Sequence, residues 1–132
     1  MVRNIAARLA PPAPAGRALT RPPVIDTDFL GRQALGDAGL MEEILRVFAA
    51  RLERYFERVE TSTSVAALIE SLHALNAAAK GVGAFPLADL AGAAEDELRA
   101  GQAVDPARIE RLALAVTETG AVTARLIATL ET

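Results

Sequence analysis

Apolar residues recur at steps of three and four along most of this chain, which is the spacing of amphipathic helices. The spacing is clearest in one stretch, where the apolar positions are Val65, Leu68, Leu72, Leu75, Ala79 and Val82. This stretch predicts a helix over about 64–80, with its apolar side turned to a core. His73, the only histidine in the chain, stands one step off that side and is therefore predicted to face solvent.

The first half of the chain predicts two further helices. Asp26 or Thr27 can cap a short helix, and Gly36 ends it. Asp37 can cap a long amphipathic helix over about 37–60, which has acidic residues in its early turns where the helix dipole favours them.

The second half predicts two more. Pro86 suits a first helical turn, and Gly101 closes the helix that begins there. Asp105 and Pro106 then open a last helix, whose apolar positions continue to the end of the chain. Four long amphipathic helices with short connections favour an all-α fold, namely an antiparallel up-down-up-down four-helix bundle with a short extra N-terminal helix.

The chain length of 132 residues suits one domain. Residues 1–23 hold five prolines and four arginines without sustained periodicity. We therefore expect a flexible, basic, proline-rich tail there, followed by the bundle over residues 24–132. Docking of this tail on an acidic partner is the alternative interpretation.

Composition narrows the chemistry. The chain has no cysteine and one histidine, which argues against a disulfide framework and against a zinc site. A net charge of −3 argues against a nucleic-acid partner. No apolar run approaches the roughly 20 residues of a membrane span, and the N-terminal apolar stretch is too short for a secretory signal, so we expect a cytoplasmic protein. The acidic run Glu95-Asp96-Glu97 is interpreted as a solvated helix face.

The candidate chemistry is at His73. An imidazole titrates close to neutral pH, so much of it is unprotonated and nucleophilic there. Asn76, Ala77 and Lys80 follow His73 at steps of three, four and seven and share its side of the helix. An exposed imidazole on a rigid helix, beside a short side chain and a cation, is a candidate phosphoryl carrier. The alternatives are a surface histidine without a task, a solvated Asn76 amide, and a Lys80 that only complements the helix dipole.

The residues around His73 resemble the histidine-containing phosphotransfer (HPt) domains of bacterial two-component phosphorelays. The usual pattern in that family is H-x-L-K-G, with a glycine ten positions after the histidine and a leucine four positions after that glycine. This chain has His73, Leu75, Gly83 and Leu87 at those positions. The resemblance extends over about 24–131.

The resemblance implies a phosphorelay intermediary that carries a phosphoryl group on His73 between receiver-domain aspartates. It implies a phosphotransfer protein without autonomous catalytic activity and without a cofactor of its own, since the receiver partner is expected to bring the Mg²⁺. The implied partners are response-regulator receiver domains, a hybrid histidine kinase, or both. Phosphoryl transfer is mostly positioning and charge stabilisation, so few residues are needed on the carrier side.

The chain departs from the family pattern at two positions. Asn76 stands where the family has lysine, and Ala77 where it has glycine. Asn76 can donate a hydrogen bond to a phosphoryl oxygen, and Ala77 keeps the surface flat for another domain. Lys80 is the nearest cation, about 10 Å along the helix axis. The departures leave two alternatives: a pseudo-HPt bundle that binds a receiver or histidine kinase without carrying phosphate, or an unrelated helical adaptor.

Overall fold

A computed structural model describes residues 21–131, and these residues are all-helical, with five helices and no strand. In chain order the helices are α1 (Thr27–Gln33), α2 (Ala38–Thr61), α3 (Val65–Val82), α4 (Phe85–Arg99) and α5 (Pro106–Glu131). The predicted all-α class is confirmed, and the observed bounds follow the predicted ones closely. The tail predicted over residues 1–23 lies almost wholly outside the described residues.

Side-chain caps set the starts of three helices. Asp26, Asp37 and Ser64 each accept a hydrogen bond from the backbone amide three residues later, at 3.0–3.1 Å. The first helix ends earlier than predicted, since α1 stops at Gln33. Leu35 and Gly36 follow with φ of 55° and 75°, so a left-handed turn separates α1 from α2.

The helices pack around one apolar core. Helix α2 contacts α3 and α5, α4 contacts the same two helices, and α1 packs on α3. All five helices contribute buried apolar side chains, because each turns its apolar side inward. The largest apolar side chains that are fully buried are Leu30, Met41, Leu45, Leu72, Leu75, Leu87 and Leu112.

Two residues predicted to lie in the core are exposed. Val65 is 60% exposed, and Leu40, the first apolar position of the amphipathic helix predicted over about 37–60, is 39% exposed. Both lie in the first turn of a helix, where the chain has only begun to run over the core. Met41, one residue after Leu40, is fully buried instead. Periodicity therefore identifies the buried side of these helices but not the residue at which burial begins.

Gly83 forms the corner between α3 and α4. Its φ of 83° caps the end of α3, and its carbonyl accepts a hydrogen bond of 2.8 Å from the backbone N–H of Asp26. A Cβ atom at this position would lie 2.9 Å from the Asp26 carbonyl oxygen and 3.1 Å from the Phe29 ring. The Phe29 ring in turn packs edge-on against Phe85, with ring centroids 5.0 Å apart. A glycine is therefore required both by the turn and by the close approach of the segment before α1.

We expect Gly83→Ala to lower the free energy of unfolding by about 2–3 kcal/mol, because a left-handed alanine is strained and its methyl group meets backbone atoms. Urea denaturation of wild type and variant measures the change. Gly101→Ala is the matched control, since Gly101 has a φ of 80° and a Cβ atom added to it would meet nothing within 4 Å. It should cost about 1–2 kcal/mol from the backbone alone. Equal losses in the two variants would contradict the contact with Asp26.

Helix α5 is long and apolar enough to cross a membrane by length and composition. Length and composition alone do not assign it to a membrane, because a core helix of a soluble protein passes the same criteria. The buried side chains of α5 are Leu112, Val116, Thr119, Thr123 and Leu126. Thr123 donates its hydroxyl hydrogen to the Thr119 carbonyl at 2.7 Å, which satisfies this buried polar group within the helix.

Candidate functional site

His73 lies midway along α3 with 64% of its side chain exposed. Leu72 and Leu75, on either side of it along the chain, are fully buried, so the core anchors the helix on which the ring stands. The exposure agrees with the position of His73 one step off the apolar side. The ring is not unpartnered, however, because a side chain of α4 contacts one of its nitrogens.

That partner is Glu95. The His73 Nδ1 atom lies 3.1 Å from Glu95 Oε2 and 3.3 Å from Oε1. Glu95 is buried, with 8% of its side chain exposed. It stands beside Ala94 at the edge of the buried side of α4, on the flank that packs against α3. The Nδ1 atom of the exposed histidine ring therefore contacts a buried carboxylate.

Arg99 is the second partner of this carboxylate. It follows Glu95 by one helical turn, and its Nε donates to Glu95 Oε2 at 2.8 Å. Burial by itself raises the pKa of the Glu95 carboxyl, but the hydrogen bonds from Arg99 and His73, with their charges, outweigh it and lower that pKa below the usual range. Glu95 is therefore ionised at neutral pH.

An ionised carboxylate decides which ring nitrogen holds the proton. A carboxylate can only accept hydrogen bonds, so His73 Nδ1 must carry the hydrogen that it donates. In the neutral imidazole this leaves the lone pair on Nε2. Nε2 makes no hydrogen bond with any described residue. The exposed ring thus presents a nucleophilic nitrogen whose orientation is fixed through the other nitrogen.

The lowered pKa of Glu95 predicts a pH dependence of stability. An ionised Glu95 binds a proton less readily in the folded protein than in the unfolded chain, where its pKa is near 4.5. Its contribution to stability is therefore complete above that value and is lost as the pH falls through the lower folded pKa. Urea midpoints of wild type and Glu95→Gln measured from about pH 6 to about pH 3 should converge in the acid range. A constant difference over the whole range would contradict this linkage.

Asn76 faces α4 rather than standing free in solvent. It is half-buried, and a Cβ atom added to Gly92 of α4 would lie 3.3 Å from Asn76 Nδ2. The Asn76 Oδ1 atom is buried and has no hydrogen-bond partner. The alternative of a fully solvated surface amide is therefore wrong for this residue. Gly92, which the sequence pattern did not single out, makes room for the Asn76 amide next to His73.

The other residues singled out from the sequence divide into two groups. Ala77 and Lys80 are exposed on α3, and Lys80 lies in the last turn of the helix. The Lys80 ammonium group has no ion pair with a described residue. Leu75 and Leu87 are buried in the core, and Gly83 forms the corner already described. The first group is available to a partner, and the second group positions the helix.

The acidic run on α4 is not the uniform solvated face that was predicted. Asp96 is exposed, but Glu95 is buried beneath His73. Glu97 is half-buried and pairs with Arg108 of α5, whose Nη2 donates to Glu97 Oε2 at 3.0 Å. The Arg108 Nε atom is 2.7 Å from Glu97 Oε1, which is ion-pair distance without hydrogen-bond alignment. The prediction was wrong for Glu95 and Glu97 because His73 and Arg108, which contact them, lie on other helices. Only the Glu95–Arg99 pair, four residues apart, was visible in the sequence.

Helix α2 borders the other side of α3. Ser62, just after α2, hydrogen-bonds Ser71 of α3 at 3.0 Å, and Tyr55 lines the same cavity as Ala78. Residues 55–62 therefore run alongside residues 71–78, which include His73. The shared cavity has a volume of about 420 Å³ and mainly apolar walls. Its apolar lining from α2 includes the exposed residues Leu40 and Val47.

Three arginines extend this surface along α2. Arg51, Arg54 and Arg58 surround Tyr55 at a second cavity of about 240 Å³, and Arg51 and Tyr55 line both cavities. None of the three guanidinium groups has a hydrogen bond or ion pair with a described residue. We call the surface formed by the two cavities the α2–α3 face. It combines exposed apolar area with unpaired positive charge beside the histidine helix.

No family model, no curated protein and no solved structure matches this chain. Among residues 21–131, no group of three or more histidine, aspartate and glutamate side chains is arranged to hold a metal ion. The site is therefore defined by its own geometry: an exposed imidazole, a buried carboxylate on one of its nitrogens, and an arginine on that carboxylate.

Proposed function

We propose that this protein is a phosphorelay intermediary that carries a phosphoryl group on Nε2 of His73 between receiver-domain aspartates. The observation that supports it most is the hydrogen bond from His73 Nδ1 to the buried Glu95, which leaves Nε2 as the nucleophile on an exposed ring. The function is that of an HPt-like domain, with partners among response-regulator receivers, hybrid histidine kinases, or both. The protein acts without a catalytic activity of its own.

The transfer step uses few groups of this chain. The Nε2 lone pair attacks the phosphorus of the receiver's aspartyl phosphate, the P–N bond forms, and the P–O bond to the aspartate breaks, which releases its carboxylate. The phosphorylated ring keeps its Nδ1 proton and is a cation, and the Glu95 carboxylate lies 3.1 Å from that nitrogen. Mg²⁺ belongs to the receiver in this scheme. The return step reverses these bonds on a second receiver.

The neighbours of His73 have supporting roles in this proposal. Ala77, exposed one turn later, leaves room for the receiver to approach Nε2. The Asn76 amide and the Lys80 ammonium group act on the phosphoryl oxygens, as a hydrogen-bond donor and as a cation. The α2–α3 face contacts the receiver in this proposal, because it joins apolar area and unpaired positive charge on the helix that runs alongside residues 71–78.

The proposal includes the finer architecture and the location. The helices α2 to α5 form an antiparallel up-down-up-down four-helix bundle with α1 as a short addition, which is supported by short connections and by the neighbour relations of the four long helices. The protein works in the cytoplasm, where receivers and the kinase domains that feed them meet. Helix α5 is then a core helix rather than a membrane span.

A direct test asks which nitrogen is phosphorylated. Receiver domains phosphorylated with a small-molecule donor are mixed with the ¹⁵N-labelled protein, and the product is examined by ³¹P and ¹⁵N NMR. The expected product is an acid-labile phosphohistidine with the phosphoryl group on Nε2. Phosphorylation on Nδ1 would contradict the role of Glu95. Absence of any phosphohistidine with every receiver would contradict the proposal.

The second candidate is a pseudo-HPt bundle that binds a receiver or kinase without carrying phosphate. It is favoured by Asn76, whose amide packs against Gly92 where the family has a lysine. This candidate predicts that a receiver binds the α2–α3 face and that no phosphohistidine forms. Restoring the family residues with Asn76→Lys and Ala77→Gly distinguishes the two, because a gain of transfer from zero supports the second candidate.

A further inference from the structure

A groove between α2 and α5 lies away from the histidine and is not used by the proposed transfer. Its volume is about 650 Å³. The floor is apolar, with Leu52 and Phe56 from α2 and Val116 from α5, and Gly120 leaves the floor open. No arginine or lysine lines this groove. It is therefore a surface groove with an apolar floor and no basic side chain in its lining, which a short segment of chain can enter.

One rim of the groove is acidic. Glu53, Glu57 and Glu60 follow each other on α2 at steps of four and three, so they stand on one edge. Their carboxylates have no hydrogen bond or ion pair with a described residue. Like charges one turn apart repel each other, and a bound cationic segment would relieve that repulsion. The groove thus fits a segment that combines apolar side chains with positive charge.

The chain itself contains such a segment. Residues 1–21 hold four arginines and no acidic residue, which gives them a formal charge of +4. Since the whole chain has a net charge of −3, residues 22–132 have a net charge of −7. Within residues 2–9, Val2, Ile5 and Leu9 are apolar, and Arg3 and Arg8 are cationic. Charge and apolar content both complement the groove.

We propose that residues 2–9 of this chain occupy the α2–α5 groove of the same molecule. Val2, Ile5 and Leu9 contact the apolar floor, and Arg3 and Arg8 pair with the glutamates of the rim. The 12 residues from Leu9 to Arg21 can span up to about 40 Å, which is as long as the longest helix. The connection therefore reaches the groove without any change in the bundle.

The experiment uses the full chain, which has no cysteine of its own. A nitroxide spin label is attached at Ala6→Cys, and its effect on the amide signals of the ¹⁵N-labelled protein is recorded. We expect broadening concentrated at residues 49–60 and 113–121. In the triple variant Glu53→Gln, Glu57→Gln and Glu60→Gln the equilibrium constant for docking should fall by about tenfold, the combined effect of losing the two exposed charge pairs made by Arg3 and Arg8.

A matched control removes the same number of charges from other surfaces, with Glu43→Gln, Glu70→Gln and Glu110→Gln, and should leave the broadening unchanged. Both triple variants change only side chains outside the core, and circular dichroism verifies their folding. Broadening that is absent or lies elsewhere overturns the proposal, as does an equal loss in the control. A second sample tests whether residues 2–9 come from another copy of the chain. It mixes protein that has the spin label but no ¹⁵N with protein that has ¹⁵N but no spin label. Broadening in that mixture overturns the assignment to the same molecule.

Discussion

Replacing His73 with glutamine is expected to abolish transfer of a phosphoryl group from a phosphorylated receiver while leaving the protein folded. Glutamine has no ring nitrogen with a free lone pair, so the P–N bond cannot form. The fold should persist, because the His73 side chain is 64% exposed and its partner Glu95 keeps the hydrogen bond from Arg99. We expect a change in unfolding free energy of no more than about 1 kcal/mol. Acid-labile label transferred from a radiolabelled receiver measures the effect.

Glu110→Gln, an exposed change at the start of α5, is the control and should be labelled like wild type. Binding of the receiver to His73→Gln should persist, because the α2–α3 face is unchanged, and this separates loss of chemistry from loss of docking. Equal labelling of wild type and His73→Gln would show that His73 is not the phosphoacceptor and would contradict the phosphorelay proposal.

The helices were predictable because their signals are local. Asp26 and Asp37 cap helices through amides three residues away, and Gly101 has the positive φ that its position after α4 suggested. The exposure of His73 follows from the same local geometry, since the direction of a side chain on a helix depends on its step from the apolar stripe. Each of these predictions depends only on residues within one helix and its ends.

The support of His73 was not predictable because it depends on how two helices pack. Glu95 stands at the edge of the buried side of α4, and its sequence neighbours Asp96 and Glu97 suggested a solvated face. Only the packing of α4 against α3 brings its carboxylate beneath the histidine. The space that Gly92 leaves for Asn76 has the same origin. Contacts between side chains of two different helices leave no periodic pattern in a single sequence.

The same packing clarifies what the departure at position 76 means. A lysine at this position would start from a half-buried site beside Gly92 and would have to extend its ammonium group outward to reach solvent. Asparagine instead fills the space against α4 and leaves Oδ1 without a partner. Lys80 of α3 and the arginines of the α2–α3 face have no ion pair with a described residue, whereas Arg99 is bonded to the carboxylate that contacts His73.

The second large effect concerns Glu95. We expect Glu95→Gln to slow phosphoryl transfer to His73 by about tenfold, which is the loss of about 1.4 kcal/mol of charge-assisted hydrogen bonding at an exposed ring. Glutamine has nearly the shape of glutamate, but it lacks the charge that stabilises the phosphorylated, cationic ring. Its amide can also donate to Nδ1, which places the ring proton on Nε2 and removes the nucleophilic lone pair. Single-turnover transfer from a phosphorylated receiver measures the rate.

Asp96→Asn is the matched control for this variant, because it removes one acidic charge from the neighbouring position of α4, where the side chain is exposed. It should transfer at the wild-type rate. A second measurement separates positioning from a general loss of stability: the ring tautomer of His73, observed by ¹⁵N NMR, should have the proton on Nδ1 in wild type and in Asp96→Asn. In Glu95→Gln both tautomers should be populated. A tautomer distribution in Glu95→Gln equal to that of wild type, together with an unchanged transfer rate, would show that the buried carboxylate does not direct the chemistry of the ring.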